Sequence, residues 1–279
     1  ERDMADGSVD HFGVPTFEFD YATLSGKTSD PDSPIHFISG SESEHGAIHA
    51  NVILRKGSKD EYTMMSLLKF IERVGHPKVE VKCDQEPSTI DVRNSLISRC
   101  KSTQLVPFAT PKGSKGSLGA AERAHLSVGG LVRTMKETLE DHVNKHPTRA
   151  TSVQDNASSA PFKIGPKHVL IAWMFRHAAF SINRFRTRAN GKTAYYSMRG
   201  KAYNGDVLPF GEIAQFRKLT DDKFEPRWVK GVFVGKHNET DEFIYLTESG
   251  MQKSRTAQRL VLKDRYDVDL LSKIKGLPW

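Results

Sequence analysis

Lys78-Val-Glu-Val-Lys-Cys-Asp84 alternates apolar and polar residues with a period of two. That period predicts a strand with Val79, Val81 and Cys83 on one face and Glu80, Lys82 and Asp84 on the other. Just before it the period changes. Met64, Leu67, Leu68 and Ile71 form a helical stripe between Asp60, a capping residue, and Gly75 with Pro77, which end it. After it, Ser88 is placed to cap a second helix running to about Lys101, with Asp91 at a capping-box spacing. Gln104 to Thr110 reads as a strand again.

Working outward toward the N-terminus, Val14-Pro-Thr-Phe-Glu-Phe-Asp20-Tyr21 starts a strand with Phe17 and Phe19 facing one way and Glu18 and Asp20 the other. Ile35 to Ile38 is a second strand. Ala47 to Arg55 is a third, flanked by Gly46 and Gly57, with Ile48, Ala50, Val52 and Leu54 on one face. Toward the C-terminus, Pro111-Lys-Gly-Ser-Lys-Gly-Ser-Leu-Gly119 is a glycine-rich basic loop. A helix follows from about Ala120 to Asn144, its stripe of Ala124, Val128, Leu131, Met135 and Leu139 interrupted by Gly129 and Gly130. Three strands followed by alternating helices and strands predict an α/β fold of the α+β, mixed-sheet kind with helices on its faces.

The remainder reads differently. Residues 147–166 form a linker rich in small and polar residues, and 167–207 a basic helical connector carrying Trp173, Met174, Phe175, Phe180 and Ile182. Residues 208–265 carry four short strands, Phe210–Phe216, Trp228–Lys236, Glu242–Thr247 and Met251–Leu262, which suggest a small antiparallel β-barrel. The proposed division is therefore a tail at 1–13, a core at 14–146, the linker, the connector, the barrel-like domain, and a tail at 266–279.

The chain has 279 residues, 37% of them hydrophobic, enough for a core of one large or two smaller domains. No apolar run is long enough for a bilayer, so a membrane partner is not expected. Two cysteines, Cys83 and Cys100, make no disulfide framework and read as thiols in a reduced compartment. Of the +7 net charge, residues 1–162 carry 19 basic and 22 acidic side chains, and residues 163–279 carry 22 and 12. Nine Lys or Arg and no acid lie between Lys163 and Gly205. Such a basic half suggests a polyanionic partner, the plain alternative being a solvated basic face. The first residue is Glu1, and no signal-peptide pattern follows it, so the chain is expected to be a piece of a longer one.

Three carboxylates fall where this topology would bring them together. Asp20 lies on the first strand, Asp84 ends the fourth, and Glu122 opens the helix after the glycine loop. If the first and fourth strands are neighbours, these acids share an edge of the sheet. Carboxylate oxygens suit Mg²⁺ or Mn²⁺. Two such ions activate a nucleophile and stabilise the leaving oxygen of an in-line displacement.

Those residues, with their neighbours, resemble the integrase of copia-type retrotransposons. The similarity rests on Phe19-Asp20-Tyr21, Phe70-Ile71 before Gly75, Cys83-Asp84-Gln85-Glu86, and Ala121-Glu122-Arg123-Ala124-His125 after the glycine loop. Further on it includes Ala172 to Ala179 with Asn183-Arg184, Phe210-Gly211-Glu212, and Arg227-Trp228 to Val234-Gly235-Lys236, so that it covers roughly residues 14–265. The resemblance implies a ribonuclease H-like core with an Asp, Asp, Glu (DDE) triad at Asp20, Asp84 and Glu122, and a metal-dependent polynucleotidyl transferase and endonuclease. It would process element cDNA ends and insert them into target DNA in the host nucleus, after a cytoplasmic particle stage. It also implies a Pol polyprotein origin, double-stranded DNA as partner and a homo-oligomer. Candidate DNA contacts are Lys112, Lys115, Arg123, Arg133, Lys136, Arg184, Arg186 and Arg188.

The sequence departs from the pattern in two places. It has no His/Cys zinc-module spacing, since Cys83 and Cys100 are far apart and His45 and His49 have no cysteine nearby. Leu126 and Gly129 stand where retroviral relatives tend to place lysines after the catalytic Glu. A catalytically inactive or domesticated integrase-derived DNA-binding protein is the alternative reading. Glu86 reads as a solvated neighbour of Asp84, and His125 and His177 as structural histidines.

Overall fold

The computed structural model describes residues 13–25, 34–108, 118–145, 161–218 and 223–279. They divide into two compact units. The first holds the chain up to Gly130 together with Ser181–Asn204, the second Leu131–Phe180 together with Gly205–Trp279.

The first unit is built on β1 (Thr16–Leu24), β2 (Ile35–Glu42), β3 (Ile48–Val52), β4 (Lys78–Cys83) and β5 (Gln104–Pro107), in the order β3-β2-β1-β4-β5. The β1–β2 and β2–β3 pairs are antiparallel, and the β1–β4 and β4–β5 pairs parallel, so the sheet is mixed. Each parallel step is bridged by a helix, as a parallel pair requires. These helices are α1 (Glu61–Val74) and α2 (Pro87–Arg99). The alternation read in the sequence decides the packing. Phe17, Phe19, Val79, Val81 and Cys83 turn into a core with Met64, Leu67, Phe70 and Ile71 of α1 and with Val92 and Leu96 of α2. Each such aliphatic or aromatic side chain contributes about 1.5–3 kcal/mol on burial.

The ends of α1 follow its sequence. Asp60 accepts hydrogen bonds from Thr63 N at 3.2 Å, Thr63 Oγ1 at 2.9 Å and Leu54 N at 2.8 Å, and Gly75 closes the helix at φ 83°. The start of α2 differs from expectation. Ser88 does not cap it; the helix begins at Pro87 with Glu86 in the capping position. Proline is preorganised for a first helical position and has no N–H to satisfy. The Ser88 hydroxyl therefore serves Glu86 Oε1, and Asp91 accepts from Ser58 N instead.

β3 is an outer strand of this sheet. Its first residue, Ile48, stands opposite Ser41 of β2, and its N–H and C=O are bonded by a side chain: Asn183 Oδ1 accepts from Ile48 N and Asn183 Nδ2 donates to Ile48 O, both at 2.7 Å. Asn183 sits near the end of α4 (Val169–Phe185), a helix shared by the two units, as is α3 (Gly119–Lys145). α3 runs through Gly129 and Gly130 without a break.

The second unit contains an antiparallel sheet of β6 (Ile213–Arg217), β7 (Trp228–Lys236), β8 (Phe243–Thr247), β9 (Gly250–Ser254) and β10 (Ala257–Arg259), in the order β10-β6-β7-β8-β9. The single strand expected over 251–262 is thus two strands on opposite edges. The break is a turn in which buried Ser254 Oγ accepts from Thr256 N and donates to Arg217 O. Phe216, Phe233, Phe243 and Tyr245 fill this sheet's core. Glu212, with no exposure, takes both Nε and Nη2 of Arg259, at 2.7 and 2.6 Å, the two-point geometry that a buried carboxylate needs. Two short helices, α5 (Ala194–Arg199) in the first unit and α6 (Val268–Lys273) in the second, and a 3-10 turn at Leu262–Asp264 complete the elements of the described residues.

Candidate catalytic carboxylates

β1 and β4 run side by side with Glu18 beside Lys82 and Phe19 beside Cys83. The next residue after each is Asp20, midway along β1, and Asp84, just beyond β4, so the two acids follow the last paired position of the β1–β4 ladder. Asp20 is half-buried and Asp84 exposed. Burial pushes the Asp20 pKa up, and the charges of Asp84 and Glu86 push the same way; the Tyr21 N–H on Asp20 Oδ1 at 2.7 Å and the nearby His125 only partly offset this. Crowded carboxylates whose charge is disfavoured are what a bound cation relieves.

The third acid is on α3, and β1 itself anchors that helix. Glu18 lies one residue before the core-facing Phe19, on the same face as Asp20. Its Oε2 accepts from Ala120 N at 3.0 Å while Oε1 accepts from Lys82 Nζ at 3.1 Å. A carboxylate at a helix N-terminus satisfies a free amide and favours the helix dipole. One turn on, His125 Nε2 lies 3.2 Å from the Asp20 carbonyl oxygen. Glu122 stands between these two anchors in the first turn, with its side chain exposed. The Asp20, Asp84 and Glu122 oxygens do not gather within 4.8 Å of one another. The structure therefore brings the two aspartates together past the end of the β1–β4 ladder and does not gather Glu122 with them.

Glu86 is held by Lys56, with Nζ at 2.9 Å, and by Ser88; the Lys56 bond is the main cause of its lowered pKa. Lys56 also sits 5.2 Å above the Tyr21 ring, whose hydroxyl accepts from Gly57 N. Glu18 was not singled out from the sequence, although the shared face of Glu18 with Asp20, and of Lys82 with Asp84, was the available signal.

The candidate DNA contacts divide. Arg123, Arg133 and Arg186 are exposed. Lys136 bonds Glu140 at 2.7 Å, Arg186 donates to Ser127 Oγ at 2.8 Å, and Arg188 donates to the Glu44 carbonyl at 2.8 Å. Arg184 is buried, its guanidinium 5.1 Å from both the Tyr195 and Tyr203 rings, so its cation is spent on aromatic faces inside the first unit. Lys112 and Lys115 lie outside the described residues. Trp173, Met174, Phe175, Phe180 and Ile182 are all buried.

No protein-family model matches the sequence, and no curated protein matches it. Several solved structures are similar at low identity. A chain of the simian T-cell lymphotropic virus intasome in complex with PP2A regulatory subunit B56 gamma aligns over 88% of this chain and 81% of its own, at 11% identity and TM-score 0.42. The catalytic core domain of BIV integrase aligns over 66% and 92%, at 15% identity and TM-score 0.40. The HTLV-2 integrase catalytic core domain, solved in complex with magnesium in a trimeric form, aligns over 66% and 95%, at 13% identity and TM-score 0.40.

Proposed function

We propose that this chain is the catalytic region of a copia-type retrotransposon integrase, which processes element cDNA ends and transfers them into target DNA. The observation that carries this reading is the placement of Asp20 and Asp84 immediately past the last pair of the parallel β1–β4 ladder, with the first turns of α3 tied to β1 by Glu18 and His125. The all-oxygen donor set suits a hard divalent cation. Asp20, Asp84 and Glu122 would hold Mg²⁺ or Mn²⁺, two ions in all, and such ions supply an activated water or hydroxyl and charge stabilisation at the leaving oxygen. Glu18 holds the start of α3 at β1, and rotation of the exposed Glu122 side chain brings its carboxylate toward the aspartates. Arg123, Arg186 and Arg188, with Lys112 and Lys115, hold DNA phosphates. The protein works on duplex DNA as a homo-oligomer in the host nucleus, with a small barrel-like domain after the core.

The test is oligonucleotide strand transfer with Mg²⁺ or Mn²⁺. Asp84→Asn should lower joining by about 10³-fold or more, the scale of several kcal/mol of transition-state charge stabilisation. Its circular dichroism should not change, because Asp84 is exposed and the Gln85 N–H that its Oδ1 accepts can be accepted equally by an asparagine oxygen. Undiminished joining by the variant would refute the assignment. The outward position of Glu122 favours one second reading, an inactive DNA-binding derivative; wild-type chain that binds duplex but joins no ends with either metal would select it.

A further inference from the structure

We propose a second metal site, distinct from the acidic one, in the turn between β2 and β3: a Zn²⁺ ion held by Glu44, His45 and His76, with water in the fourth position. The ligand atoms of these three residues all lie within 4.8 Å of one another. Glu44 and His45 belong to the turn, and His76 follows Gly75, which closes α1.

The argument turns on Glu42, whose side chain is 2% exposed. Its carboxylate accepts from the backbone N–H of Glu44 and, at 2.9 Å, from that of His45, and meets His76 Nε2 at 3.0 Å. A carboxylate only accepts, so the proton of the neutral ring is on Nε2 and the lone pair on Nδ1. A buried carboxylate on the far nitrogen is the arrangement that orients a metal-binding histidine and raises its basicity. Here the same carboxylate also shapes the turn that presents the other two ligands.

His76 Nδ1 faces Glu44 Oε2 at 3.5 Å. That is long for a hydrogen bond. Two ligands of a tetrahedral ion with bonds of ~2.0–2.1 Å stand about 3.3 Å apart, so the gap suits an ion placed between them. The His45 ring stacks on His76 with centroids 4.7 Å apart; an imidazole lone pair lies in its ring plane, so His45, only half-buried, turns out of the stack to reach the ion, while Arg188 fixes the turn from outside through the Glu44 carbonyl. Two imidazoles and one carboxylate form a zinc-type donor set, softer than the all-oxygen set Mg²⁺ prefers. The place is separate too: Glu42 pairs with Phe17, three residues along β1 from Asp20, about 10 Å away. No Cys/His spacing in the sequence marks this place, because the third ligand is a glutamate and the second histidine comes 76 − 45 = 31 residues later.

The metal-free alternative is a protonated His76 bridging Glu42 and Glu44. Titrating the whole chain with Co²⁺ separates the two. The expected result is one Co²⁺ with the visible bands of tetrahedral cobalt, displaced by Zn²⁺ and not by a large excess of Mg²⁺. Zn²⁺ affinity should fall about 10–100-fold in Glu42→Gln, and at least as much in His45→Ala and Glu44→Ala, whose side chains are not fully buried. Asp84→Asn should bind Zn²⁺ as wild type does. Absence of the cobalt bands, affinity unchanged in His45→Ala and Glu44→Ala, or binding lost in Asp84→Asn would overturn the proposal.

Discussion

His49 lies inside the first unit with its Nε2 2.6 Å from Asn51 Oδ1 and its ring 5.4 Å from that of Phe70. Burial, against a weaker opposing effect of the Asn51 bond, lowers its pKa to about 4. The folded value is below the unfolded value of about 6.5, so the neutral ring's contribution is complete above that pH and is lost as pH falls from about 6.5 toward 4. The loss is on the order of 3 kcal/mol. Urea denaturation of wild type and His49→Phe across this window should show a flatter pH dependence in the variant. Equal slopes would mean that His49 is not the titrating group. Residues of this kind were only partly legible in the sequence. Asp20 and Asp84 stood out because strand alternation fixes their face. Glu18, Glu42 and His76 did not, because what each does depends on a partner far along the chain: Ala120 for the first, and one another for the other two.

At the scale of elements, α1 shows how local information suffices when the cap, the stripe and the stop all agree. Asp60 is 1% exposed and accepts three hydrogen bonds, two from Thr63 and one from Leu54. Asp60→Ala would leave those donors unpaired in a buried place, at about 1–3 kcal/mol for each group left without a partner. Chemical denaturation should place the variant ~2–4 kcal/mol below wild type; a change under ~0.5 kcal/mol would show that water or a rearranged turn replaces the cap. α2 was legible as a helix but not in its start, since Pro87 and Ser88 are both good initiators and only the fold chooses between them. α5 and α6 are six residues each, too short for a periodic stripe to be read. The β9–β10 break was hidden because the turn at Ser254 is stabilised by Arg217, more than thirty positions away.

For the whole molecule, the charge asymmetry makes the broadest claim. Cations that neutralise phosphates release condensed counterions, so duplex affinity should fall steeply with salt, and similarly for unrelated duplexes. Arg186 and Arg188 donate to neutral oxygens. Replacing both with Ala should flatten the salt slope by up to ~2 units, read by fluorescence anisotropy. Arg184 belongs outside that variant, because its place between Tyr195 and Tyr203 makes it part of the packing. An unchanged slope would assign the basic segment to solubility. The sheet order was anticipated only conditionally, as adjacency of the first and fourth strands, because the sequence shows which segments are strands but not which of them pair. The pairing of Ile48 by Asn183 has a further consequence, for synthesis on the ribosome. The amide and carbonyl of the outer strand must wait for a side chain 183 − 48 = 135 residues downstream. At ~5–20 residues per second that is roughly 7–27 s of translation. Throughout that interval the nascent chain carries an unfinished strand edge, a natural point of engagement for a chaperone and a natural origin for misassembly when expression outruns it.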